Sequence, residues 1–238
     1  TLTIGPSMTV QGTSGSISQY GSYQSVETVI NQGTVNIASG GNLWLGGDNW
    51  TNAGVINAAG VKVTLADSFT TAGIGTFNAA GATVSLIGTL TNTATTLTLK
   101  PEWGGDWTLS GGTINGGTIT QTGGSKLKLS NQGGTLSGGV VIAASLTVDG
   151  TTAWTNYPSG QNTVTITGGL TLNGTLNLGS SSGNSWGQAY FSGTQTLGGN
   201  GSVNFGSNTT NGIYAQGNGV TLTIGPSMTV QGTSGSIS

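Results

Sequence analysis

Glu102 and Asp106 are the one pair of carboxylates that stand close together in a chain poor in charge, and Trp103 and Trp107 flank them in PEWGGDW, residues 101–107. Two acids held about 5–9.5 Å apart are the machinery of glycoside hydrolysis. Short of catalysis, indole faces that stack on pyranose rings beside carboxylates that grip hydroxyls make a sugar-binding platform. A plainer reading competes: DWTLS has the alternation of a strand, in which Trp107 points inward and fills a core. For Trp103 both readings stand. A second aromatic set lies in LWLGGDNWTNAG, TTAWTNYPSG and NSWGQAY, which carry Trp44 and Trp50, Trp154 and Tyr157, and Trp186 and Tyr190. These residues fall in or beside longer inserts, where a rigid scaffold displays contact residues, unless they simply cover its flank. The candidate contacts for a glycan or a partner are thus Glu102, Trp103, Asp106, Trp50, Trp154, Tyr157 and Trp186.

Composition excludes much of the remaining chemistry. The 238 residues include no His, Cys or Arg. That removes Ser-His-Asp triads, thiol nucleophiles and His-ligated zinc or iron. The six acids are dispersed and the calcium-binding nonapeptide pattern is missing, so no clustered calcium site is expected. We expect no enzyme, no cofactor and no metal. A polysaccharide-active protein is the remote alternative, and it needs three or more of Asp48, Asp67, Glu102, Asp106 and Asp149 in one groove. A formal charge of −2 from ten charged residues offers no footprint for nucleic acid. No run of 18 apolar residues predicts membrane insertion. The lack of cysteine rules out disulfides without fixing a compartment.

The elements that would position these residues are strands. Short runs alternate strictly between apolar and polar, as in VKVTL (61–65), TVSLI (83–87), TTLTLK (95–100), KLKLS (126–130) and LTLNGTLNLG (170–179). Period-two alternation makes half-buried strands, and the Thr and Val that fill them favour the pleat. Gly-Gly, Asn-Gly and Ser-Gly pairs mark the turns between them. The chain therefore reads as all-β, either a sandwich or a solenoid.

Self-similarity favours the solenoid. VINQGTVNI from Val29, VINAAGVKV from Val55 and GTFNAAGATVSL from Gly75 align on Asn31, Asn57 and Asn78, in steps of 26 and 21. GTLNLG at Gly174 returns as GSVNFG at Gly201, a step of 27, and VTLTIG follows at Val220 after a step of 19. Variable steps of roughly 22 residues are those of a parallel β-helix, right-handed by the usual crossover preference. Thr-x-Thr pairs at 1/3, 96/98, 118/120, 163/165 and 221/223 raise the thought of an ice-binding face, but their spacing is irregular and ordinary outward ladders account for them.

The longest signal is an exact one. TLTIGPSMTVQGTSGSIS starts at Thr1 and is spelled out again, letter for letter, from Thr221 to Ser238. Residues 1–220 then form one repeat unit and 221–238 begin the next, with roughly ten coils and about 48 Å per unit. Recent duplication explains the identity, and so does an overlap that completes the last coil of an excised fragment. In either case the chain is a segment of something longer.

These phrases, with INQGTVNI, GTLTNTATTLTL, GGTINGGTIT and FSGTQTLGGNGSVNFG, resemble the repeats of giant bacterial surface proteins, the filamentous-haemagglutinin-like and autotransporter-passenger β-helices. The resemblance implies export, a cell-surface or extracellular location and a fibre or adhesin role. The partners that suit such a role are neighbouring copies end to end, lateral fibre contacts or surface glycans. It carries over no catalytic residue.

Overall fold

Alternation becomes burial directly. In the strand Thr83–Leu86, Val84 and Leu86 are fully buried while Thr83 and Ser85 face outward. The computed structural model describes residues 1–18, 27–149 and 162–238. One complete turn consists of Thr113–Asn115, Thr118–Gln121 and Leu127–Leu129, three short strands on three walls. The corner between the first two is Gly116–Gly117, both at φ +70°. A Cβ on Gly117 would lie 1.9 Å from the Asn92 carbonyl oxygen of the preceding turn, so this Gly-Gly signal is a requirement of stacking.

Strands pair in parallel with their equivalents in neighbouring turns, and the result is a right-handed parallel β-solenoid of about nine turns. The third wall is one continuous ladder from residues 14–17 to Thr229–Gly232. On the first wall, Leu2–Ile4, Val29–Asn31 and Thr51–Asn52 pass through a Trp50–Phe69 bridge into the ladder from Ser68–Thr70 to Ser236–Ile237. The second wall is broken into two ladders, 9–12 to Thr76–Asn78 and Thr96–Leu99 to Leu222–Ile224. The turn Pro101–Trp103 packs at the break, where the Ala79 N–H donates to the Glu102 carbonyl at 2.7 Å.

The inward residues form one apolar column whose largest fully buried members include Trp107, Phe69 and Phe191. Polar staples pin its corners. Buried Asn31 donates to Asn52 Oδ1 at 2.7 Å, and Asn52 donates to the carbonyls of Ile74 and Thr76, both at 2.9 Å. Asn92 and Asn211 bridge turns in the same manner. Removing such a group strands partners that water does not reach. Asn52→Ala is expected to cost about 3 kcal/mol of unfolding free energy in urea. A loss under about 1 kcal/mol would mean that solvent replaces the staple.

Outward amides form ladders that do without charge. Asn57 donates to Asn36 and Asn78 to Asn57, both at 2.8 Å, and Gln231–Asn204–Asn177 repeats the device on the third wall. The register corrects the sequence alignment. Asn31 stacks on Asn52, whereas Asn57 and Asn78 stack on Asn36, in uniform steps of 21. The step of 27 from Thr175 to Ser202 holds and is followed by another, from Ser202 to Thr229, so VTLTIG belongs to a different wall. Thr96 and Thr98 stack in register on Thr118 and Thr120, but Val141 meets Thr118 on the next turn. That Thr ladder is two turns long.

The two copies of the 18-residue segment take the same local path through the first strand and corner. Each begins with the same three-residue strand and closes its first corner with one bond, Met8 N–H to Gly5 at 2.9 Å and Met228 N–H to Gly225 at 3.1 Å. The second corner differs: Thr9–Ile17 runs on as one bulged strand, whereas 233–235 separate Thr229–Gly232 from Ser236–Ile237 and Gly232 takes φ +145°. Their walls differ. Residues 2–4, 9–12 and 14–17 lie on the first, second and third walls, whereas Leu222–Ile224, Thr229–Gly232 and Ser236–Ile237 lie on the second, third and first. The 220-residue interval thus spans nine turns and one further wall. This gives about 45 Å at the usual interstrand spacing, slightly less than ten coils.

Candidate functional site

The residues of PEWGGDW are gathered at the corner between the second and third walls. Pro101–Trp103 forms a single 3-10 turn, and Gly104 in the left-handed region returns the chain to the strand Trp107–Leu109. Trp107 is fully buried, and its indole N–H donates to the Trp103 carbonyl at 2.9 Å. Trp103 is half-buried over it, with ring centroids 6.5 Å apart, and Lys100 Nζ lies 4.5 Å from the Trp103 centroid. Asp106 accepts from the Lys126 N–H at 2.8 Å and pairs with Lys128 at 2.5 Å. Glu102 is exposed, and its main chain caps the broken wall. The corner is a cation–π and ion-pair clasp in which Asp106 is already bound to its own chain.

The other acids stand elsewhere. Asp67 lies at the corner between the third and first walls, where it accepts from the Gly47 N–H at 2.7 Å. Among the described residues no three of Asp, Glu, His or Cys gather as a metal-binding group.

The second aromatic set divides. Trp50 is 4% exposed, stacked on Phe69 at 4.5 Å, and its indole N–H donates to the Ala66 carbonyl at 3.2 Å. It belongs to the core. Trp186 is half-buried just before the strand Gln188–Ser192, and Tyr190 stacks on Tyr214 of the next turn at 5.2 Å. Trp154 and Tyr157 lie outside the described residues.

The structure brings forward a member of that aromatic set which the seven candidate contacts leave out. Trp44 stands on the third wall, 42% exposed, between Leu43 and Leu45, which both point into the core. Ser16 and Thr64 flank it in the ladder. An open groove of about 520 Å³ runs beside it, lined by Ser14, Asn42, Lys62, Thr83 and Ser85 among others. The signal is present in NLWL, whose alternation puts the two leucines inward and the indole outward. No helix among the described residues is long and apolar enough to cross a membrane.

Comparison with family models, with curated proteins and with solved structures returns no match.

Proposed function

We propose that this chain is a structural repeat of an exported bacterial fibre or stalk, a rod that provides reach at the cell surface and a scaffold for adhesion. One observation carries the reading: an identical 18-residue segment winds around the rod at both ends of the 220-residue interval, closes its first corner in the same way, and is joined by a third wall that is continuous between the two copies. A solenoid turn contacts its neighbours alone, so copies add length without adding new kinds of contact. Outward Thr, Asn and Gln ladders, with charged residues at 4%, suit a surface that persists through changes of salt and pH. Neighbouring copies end to end are the partners in this reading, and the extracellular location rests on the resemblance.

The test is a chain in which residues 1–220 precede the full 238 residues. Electron micrographs are expected to show one straight rod about 90 Å long, twice the length of the single unit. Two bodies joined at a variable angle would overturn the proposal.

A further inference from the structure

Trp44 occupies a ladder position on the third wall that holds Ser, Thr, Lys, Asn or Gln in each of the other nine strands of that ladder. Packing does not call for an indole there, since Leu43 and Leu45 already fill the core beneath it. The remaining exposed large apolar residues among those described, Leu2, Met8 and Ile237, all lie in the terminal turns. Trp44 is in mid-wall. Lys62 stands one turn on, paired across the ladder with Asn42, and it is exposed with no ion-pair partner among the described residues. It is one of four cations in the whole chain.

We propose that this face binds an acidic polysaccharide. The open indole takes the apolar face of one sugar ring, Lys62 takes a carboxylate or sulfate, and the hydroxyls and amide of Ser14, Asn42, Thr83 and Ser85 meet the ring hydroxyls. A groove of about 520 Å³ is in the range of small-ligand sites, and its open side lets an extended polymer run through it. A neutral glycan would leave Lys62 unused, and a nucleic acid needs more cations than this wall provides. The site stands apart from the rod reading, because a single copy is enough to form it.

The test is affinity electrophoresis of the 238-residue chain at low salt in gels containing polygalacturonate, with fully methyl-esterified polygalacturonate as the neutral control. The parent chain is expected to be retarded by the acidic polymer. Trp44→Thr, which installs the residue found one turn on, is expected to weaken binding to both polymers by about tenfold or more. Lys62→Gln is expected to weaken binding to the acidic polymer about tenfold and leave the ester unchanged. Both variants should melt with the parent, since neither side chain is buried. No retardation of the parent, or retardation that Trp44→Thr leaves intact, overturns the proposal. So does concentration-dependent bundling of the chain that Trp44→Thr abolishes while the polysaccharides have no effect, because the indole is then a lateral fibre contact.

Discussion

Trp107→Ala is expected to cost about 4 kcal/mol of unfolding free energy, among the largest single-residue effects in the chain. The indole has no exposed surface and lies on the third wall between Val84 below and Leu127 above, both fully buried. Truncation removes the transfer energy of the largest buried side chain and leaves a cavity. The cavity cannot readily collapse, because its own turn is held to the turn above by hydrogen-bonded ladders on all three walls and to the turn below on the first and third. The lost indole N–H also strands the Trp103 carbonyl that it capped. Trp103→Ala is the informative comparison. That ring is half-buried and held by Lys100 from the solvent side, so its loss should cost about 1–2 kcal/mol. Urea titrations of both variants decide the matter. Equal losses would mean that the two indoles form one surface clasp and that Trp107 is not a core residue.

That contrast shows which parts of the molecule are readable from sequence. Whether a residue points inward or outward follows from alternation within one strand, so WTL places Trp107 in the core and NLWL contains the outward Trp44. Contacts across turns are not readable, because they depend on a register that the corners hide. VINQGTVNI carries two Asn residues of like setting, and it is Asn36, not Asn31, that stacks on Asn57. Asp106 reads as a free carboxylate beside Glu102, yet its partners lie on Lys126 and Lys128 of the next turn. Trp50 follows what looks like an insert in the sequence, but that stretch is a corner that delivers it to an inward position over Phe69. Corner lengths vary among the described residues, from the two glycines 116–117 through the seven residues 100–106 to the nine residues 179–187. Walls therefore cannot be counted from spacing, and the last third of a turn in the 220-residue interval stays hidden.

That third of a turn carries the second large expectation. In an array of these units, each position should recur one wall further round the rod in each successive copy, and three copies are needed to restore the first orientation. The reason is physical. A parallel ladder asks an arriving strand for length, alternation and an inward apolar residue, and all three walls meet that request alike. Leu2–Ile4 and Leu222–Ile224 are the same letters, yet the first pairs with Val29–Asn31 on the first wall and the second with Gln195–Gly198 on the second. Because the chain lacks cysteine, a single Gln132→Cys in the exposed turn after Leu127–Leu129 gives one site per copy for a small gold cluster. In a three-copy chain, tilt-series micrographs should place the clusters about 45 Å apart along the axis. They should point in three directions about 120° apart, offset only by the smooth twist of the walls. Clusters along one side of a straight rod would show that the seam restores the wall and that nine and one-third turns is not the period of the array. With the three-way arrangement, no side of the rod is left without a copy of any surface feature, the Trp44 groove included. Such a rod meets a surrounding polymer network from every direction, whereas a repeat of whole turns would present all its grooves along a single line.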